Sequence, residues 1–148
     1  MNKELALNDI FPLMEEQLNM GGSTVFAIHG TSMQPFLKDR IASVKLEKPK
    51  SRPKKYDLIF YKRDDGNFIL HRIVGIRGEN FICRGDNQTE NEYPVNDRQI
   101  IAVCTQYNRK GVWRDMGGAS QTMFSRFWVN TVIFRRVTRG VISFLRRK

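Results

Sequence analysis

Between residues 24 and 107 the apolar positions fall in short runs that alternate with polar positions, as in half-buried β-strands. Six of these runs are rich in Val, Ile, Phe and Tyr: TVFAIHG, ASVKLEK, DLIFYKR, FILHRIVGIRG, NFICRGD and QIIAVCTQY. Turn-forming residues separate the runs, and Asp65-Gly66 between two of them is typical of a β-hairpin. No long helical pattern interrupts the series, so we expect a mainly β fold with antiparallel strand pairing.

The two ends of the chain carry helical patterns instead. Residues 4–19 predict a short N-terminal helix that stops at Gly21-Gly22. Residues 121–146, drawn as one helix, have an apolar stripe made of Met123, Phe127, Phe134, Val137, Val141 and Leu145, with Arg135, Arg139 and Arg146 roughly opposite. A chain of 148 residues is most simply one domain. We therefore expect a domain over residues 1–118, with its core at 24–107, followed by a basic amphipathic C-terminal helix over 119–148.

The net charge of +10 is concentrated in that C-terminal segment. Residues 120–148 contain seven basic residues and no acid, which leaves +3 for residues 1–119. A basic helix with aromatic residues on its apolar side is typical of a helix lying on an anionic membrane surface. The alternative is a terminal helix that packs on the core with its arginines in water. Nucleic acid is not an expected partner, because no recognisable nucleic-acid-binding module surrounds the basic residues.

The cysteines and the apolar runs limit which classes of protein and which cellular locations fit the chain. Cys83 and Cys104 form no CxxC pair, so neither a disulfide framework nor a metal site is expected, and no cofactor is implied. No run approaches the ~20 apolar residues of a membrane-spanning helix. Acidic residues interrupt the N-terminal apolar pattern, which argues against a secretory signal. This favours a cytoplasmic location, peripheral on the inner face of the cell membrane.

Candidate chemistry begins in the segment HGTSMQPFL, residues 29–37, directly after the first strand-like run. Ser32 is either part of a turn that collects small residues or a nucleophile at the edge of a sheet. A serine nucleophile needs a base to take its proton, and the base needs an orienting group. The chain contains only two histidines, His29 and His71, so an imidazole base has few candidates.

His71 lies in a run that continues through a tight turn at Gly78 into the next run. Alternation along the strand places His71 on the same face as Ile69 and Ile73. His71 precedes Gly78 by seven residues and Asp86 follows it by eight, so the two nearly face each other in an antiparallel hairpin. The hairpin therefore predicts that the imidazole and the carboxylate lie within reach of each other.

The segments GTSMQPFL, YDLIFYKR, LHRIVGI, RGDN and DRQIIAVC occur in that order along the chain. Together they resemble the boxes of the signal peptidase I superfamily, which also includes the self-cleaving SOS repressors. The resemblance covers roughly residues 24–105, and Tyr56 stands in the strand box where glycine is usual. It implies a signal-peptidase-like antiparallel sheet or partial barrel with serine peptidase activity.

The resemblance also implies roles for single residues. Ser32 matches the nucleophile, and His71 falls where most bacterial members have a lysine base and the endoplasmic-reticulum-type members have histidine. Asp86 matches the acid that supports this histidine. Arg72 matches a structural arginine that pairs with an acid of the Gly-Asp-Asn box. From its position on the strand before Ser32, His29 is expected to be structural, and the alternative is that it reaches the cleft.

The residues expected to form the oxyanion hole and the wall of the substrate site are Gly30, Thr31, Met33 and Pro35. Gly30 stands where signal peptidases often carry a serine that helps bind the oxyanion. The backbone N–H of Ser32 would then be one donor, with Thr31 or another backbone group as the second. Some relatives use an acid further along than Asp86, where this chain has Glu90 and Glu92. Three acids therefore remain candidates for the partner of His71.

The expected function is a serine endopeptidase that cleaves a precursor or leader peptide bound in extended form. An alternative is a catalytically inactive peptide-binding protein on the same scaffold, docked at the membrane surface. A regulator that cleaves itself is disfavoured, because residues 1–23 are too short for a DNA-binding domain.

Overall fold

The computed structural model describes residues 3–147, with side chains from Leu7 onward. Its elements are α1 (Lys3–Asn19), β1 (Ser23–Ala27), β2 (Ser43–Glu47), β3 (Leu58–Lys62), β4 (Phe68–Arg77), β5 (Asn80–Arg84), β6 (Glu92–Val95), a 3₁₀ turn (Asp97–Gln99), β7 (Ile100–Arg109), β8 (Val112–Asp115), α2 (Ala119–Asn130) and α3 (Val132–Arg146). The N-terminal helix and all six predicted strands are present. The sequence pattern missed β6 and β8, which have four residues each and are too short for their alternation to stand out.

All strand pairs are antiparallel, and the strands form one sheet in the order β1-β2-β7-β3-β4-β5-β6, with β8 beside β7. The prediction of a mainly β, antiparallel fold is therefore confirmed. The predicted hairpins are also present: Asp65 and Gly66 lie in the turn between β3 and β4, and Gly78 lies between β4 and β5. Gly66 and Gly78 have positive φ values of 89° and 59°, which glycine adopts without steric cost.

Apolar side chains pack on both faces of the sheet. Leu58 and Phe60 of β3 belong to the larger core, which also contains Met14, Leu18, Ile28, Met33, Phe36, Leu37, Ala42, Val44, Leu46, Ala102, Cys104 and Tyr107. Ile59 and Tyr61, the alternate residues of β3, belong to the smaller core with Ile73, Phe81, Cys83 and Val95. Successive side chains from Leu58 to Tyr61 therefore enter the larger and the smaller core in turn.

A β-bulge in β4 changes that assignment part of the way along the β4–β5 hairpin. Ile73 pairs with Cys83, but Gly75 pairs with Ile82, so Val74 is an extra residue in β4. Arg72 consequently lies opposite Arg84. A shift of one residue moves every following side chain of a strand to the other face relative to its partner.

The C-terminal segment forms two helices rather than the single helix expected over residues 119–148. Helix α2 ends at Asn130, and the Thr131 hydroxyl donates hydrogen bonds to the carbonyls of Phe127 and Trp128. Side-chain bonds of this kind compete with the helical ladder. Helix α2 buries one side on the core, whereas α3 buries no residue. The chain therefore continues to pack on the domain beyond residue 118.

No helix in residues 3–147 is long and apolar enough to cross a bilayer. Cys83 and Cys104 are both buried and unpaired. Burial raises the pKa of each thiol to about 12.

Candidate active site

Ser32 lies in a turn that is held from both sides. Gly30, just before it, has φ of 90°, and its backbone N–H donates to Asp39 Oδ1 at 2.7 Å. Met33, just after it, is 2% exposed and anchors the turn in the larger core. The small residue at position 30 and the apolar residue at position 33 thus fix the backbone around Ser32.

The RGDN turn after β5 also holds this segment. The backbone N–H of Asn87 donates to the Ser32 carbonyl at 2.8 Å, and Asn87 Nδ2 donates to the Thr31 carbonyl at 3.1 Å. A Cβ atom on Gly85 would lie 2.6 Å from the Ser32 carbonyl oxygen. The glycine of this box is therefore required for the close approach of the two turns.

His71 lies opposite Ile59 in the β3–β4 pair, on the face of the smaller core. The Tyr61 ring meets its imidazole edge-on, with centroids 6.4 Å apart. The His71 side chain is 5% exposed, and burial lowers its pKa to about 4 although Glu92 opposes the shift. The imidazole is therefore neutral near pH 7 and able to accept a proton.

Glu92, at the start of β6, is the acid that the structure places beside His71. Its Oε2 lies 4.0 Å from His71 Nδ1, a buried nitrogen with no hydrogen-bond partner within the described part of the chain. The carboxylate accepts hydrogen bonds from the Tyr61 hydroxyl and, at 2.6 and 2.9 Å, from Arg63. Burial raises the pKa of Glu92, but these hydrogen bonds outweigh it and keep the pKa below its usual range. The ionised carboxylate is thus fixed next to the imidazole.

Asp86 does not reach His71, which corrects the geometry expected from the hairpin. Its two carboxylate oxygens accept from Arg72 Nε and Nη2 at 2.8 and 2.7 Å, and Asp86 is 3% exposed. The bulge at Val74 explains the difference, since the unbulged hairpin would have paired Asp86 with His71. Of the three candidate acids, Glu92 lies beside the imidazole, whereas Glu90 is exposed on the preceding turn.

Arg72, which pairs with Asp86 of the RGDN turn, also connects two other parts of the domain. Besides Asp86, its Nη1 donates to the Tyr56 carbonyl at 3.0 Å and to Ser125 Oγ of α2 at 2.7 Å. Its guanidinium lies 5.1 Å from the centroid of the Phe36 ring. Tyr56 has φ of 83°, a left-handed conformation that explains why glycine suits this position.

Ser32 and His71 border one cavity of about 990 Å³, together with Thr31 and residues 25–30 and 68–70. Among the described strands β1 pairs only with β2, and residues 68–71 of β4 pair only with β3. Each therefore presents an unpaired backbone edge. The cavity lies between two strand edges that have free hydrogen-bonding capacity.

The other predicted residues divide between the cavity and its surroundings. Gly30, Thr31, Met33 and His29 border the cavity, whereas Pro35 is exposed and does not contribute to its lining. Tyr61 and Arg63, the two residues that hold Glu92, were missed. Alternation along β3, continued by one residue to Arg63, puts both on one face with Ile59, so the sequence did contain a signal for them.

No protein-family model, curated protein or solved structure matches this chain.

Proposed function

We propose that the protein is a serine endopeptidase with a signal-peptidase-like fold, acting at the inner face of the cell membrane. The observation that carries the proposal is the neutral, buried His71 beside the ionised Glu92, bordering the same cavity as Ser32. A serine nucleophile is activated by an imidazole base, which is in turn oriented by a carboxylate. The order of the sequence boxes supports the same assignment.

The substrate is a peptide in extended conformation. Residues 23–27 and 68–71 present unpaired backbone edges on the cavity, so a peptide can bind there as an added strand. The bound peptide would run past Ser32, which follows β1, and past His71 on β4. Main-chain hydrogen bonds to the strand edges would supply affinity, and the apolar lining would select side chains.

The proposed reaction has two balanced stages. Ser32 Oγ attacks the scissile carbonyl carbon while His71 takes the hydroxyl proton, and Glu92 stabilises the imidazolium. The tetrahedral oxyanion accepts hydrogen bonds from the backbone N–H of Ser32 and from Thr31. The Gly30 N–H is not a donor to the oxyanion, because it already donates to Asp39. His71 then protonates the leaving amine as the C–N bond breaks. Water, deprotonated by His71, hydrolyses the acyl-serine and releases the carboxylate and the free hydroxyl.

The decisive experiment is mass spectrometry of a peptide library incubated with the wild type, Ser32→Ala and His71→Ala. Cleavage by the wild type, with loss in both variants and retained folding, is the expected result. Glu92→Gln should reduce cleavage strongly, and Glu90→Gln is its matched control because Glu90 is an exposed acid on the preceding turn. Equal products from all proteins would refute the proposal.

One observation favours a second candidate, an inactive peptide-binding protein. The separation of 4.0 Å between His71 Nδ1 and Glu92 Oε2 exceeds a hydrogen-bond distance, so the imidazole is not held as in an assembled triad. In that case the wild type and Ser32→Ala would bind library peptides equally and neither would release products.

A further inference from the structure

Helix α3 has its apolar side turned to solvent. At 100° per residue, Ile133, Phe134, Val137, Val141, Phe144 and Leu145 occupy one sector of the helix, and the arginines occupy the opposite one. The exposed fractions of Phe134, Val137 and Leu145 are 71%, 60% and 64%. An ordinary surface helix buries its apolar stripe against the domain, so α3 has the reverse orientation.

The basic side of α3 attaches it to the domain. Arg135 donates to the carbonyls of Asp86 and Trp128, both at 2.8 Å, and its guanidinium lies 4.2 Å from the centroid of the Trp128 ring. Arg139 donates to Asn87 Oδ1 at 2.9 Å, and Arg136 donates to the Thr89 carbonyl. These polar bonds fix the direction in which the apolar side points.

We propose that this exposed side of α3 docks on an anionic lipid bilayer. The apolar residues would enter the boundary between headgroups and acyl chains, with the helix lying in the membrane plane. Fifteen residues of helix span about 22 Å, which is less than the ~30 Å hydrocarbon core. A surface-bound orientation is therefore the one that fits the length.

Charge distinguishes a lipid surface from a second copy of the chain. Residues 120–148 carry seven basic residues and no acid, so a second copy of this segment offers no opposite charge to them. An anionic membrane attracts them instead, at about 1 kcal/mol for each basic residue near the surface. The arginines on the far side of α3 lie about one helix diameter, ~10 Å, from the bilayer. That distance is close to the screening length at physiological salt, so they add a salt-sensitive attraction.

The proposal is tested with the full-length protein and vesicles of phosphatidylcholine with or without phosphatidylglycerol. Co-sedimentation should show binding to the anionic vesicles at least about tenfold tighter than to the neutral ones, and weaker in high salt. Val137→Gln/Val141→Gln removes two residues of the apolar sector and should lower partitioning at least about tenfold. Ile76→Gln/Val112→Gln, which changes two exposed apolar residues on β-hairpins, is the matched control and should bind as the wild type does.

Three outcomes would overturn the proposal. One is equal partitioning of the two double variants, and another is equal binding to neutral and anionic vesicles. The third is self-association of the wild type in sedimentation velocity without lipid, abolished by Val137→Gln/Val141→Gln, which would assign the surface to a second copy. Circular dichroism of both variants checks that they are folded. None of these measurements depends on cleavage, so their failure would remove the membrane location from the proposed function and leave its peptidase activity standing.

Discussion

Replacing Asp86 with asparagine tests whether this acid supports the scaffold or orients the proposed base. Both oxygens of Asp86 accept hydrogen bonds from Arg72, and the two side chains are 2% and 0% exposed. Asparagine keeps the size of the side chain but removes its charge. The Arg72 guanidinium would then be buried without its carboxylate, although the Tyr56 carbonyl and the Ser125 hydroxyl still accept from it.

The structure sets the expected magnitude. Removing one partner of a buried, hydrogen-bonded ion pair costs about 3–5 kcal/mol, a large part of the 5–15 kcal/mol typical of a domain's unfolding free energy. For a chain of 148 residues this corresponds to a Tm lower by roughly 6–20 °C. Glu92→Gln should cost less, about 1 kcal/mol, because the side chains of Glu92 and Arg63 are 27% and 35% exposed.

Urea unfolding followed by tryptophan fluorescence measures the stability of each variant. Peptide cleavage at a temperature where both variants are folded measures their turnover. Asp86→Asn should lose stability and keep most of its turnover. Glu92→Gln should keep most of its stability and lose on the order of 10²–10⁴ in turnover. Wild-type stability in Asp86→Asn, combined with a large loss of turnover, would show that the Arg72 pairing argument is mistaken.

Other predictions concern pH, a close backbone contact and the thiols. Because the pKa of His71 falls from 6.5 to about 4 on folding, the native state binds fewer protons than the unfolded state between these values. Stability should therefore decline by about 3 kcal/mol as the pH falls through that window, with Glu92 adding a loss of the same sign, and urea titrations should find a flatter profile in His71→Gln. Gly85→Ala should lower turnover about a hundredfold by displacing the Ser32 backbone, whereas Gly117→Ala, which meets open space, should leave turnover unchanged. Both buried thiols should react with iodoacetamide only on unfolding, and mass spectrometry finding rapid alkylation of the native protein would contradict their burial.

Local patterns were sufficient to predict six of the eight strands described in residues 3–147, and two of their hairpins. Alternation identified the runs that became β1–β5 and β7, because one side chain in two enters a given core. Asp65-Gly66 and Gly78 located two turns because glycine tolerates the positive φ there. These features depend on residues close together in sequence. The signal-peptidase-like fold and the peptidase activity remain predictions.

The partner of His71 was harder to predict, since it depends on tertiary register. The bulge at Val74 moves Asp86 away from the imidazole. Gly75, an isolated glycine inside the β4 run, is a local signal for a bulge, but it does not give the register of Asp86 relative to His71. Glu92 reaches His71 only because β6 packs beside β5. The outward face of α3 likewise follows from arginine contacts with residues 86–89.

The contact between Arg72 and Ser125 changes where the protein can be divided. A fragment ending at residue 118 would lose the hydroxyl that accepts from Arg72 Nη1 and the Phe124 ring that stacks on Phe36 at 5.3 Å. Helix α2 therefore covers the interior, and its removal would expose the Arg72–Asp86 ion pair to water. Thr131 marks the more natural boundary, because α3 buries no residue and a shortened protein ending there would retain a closed interior.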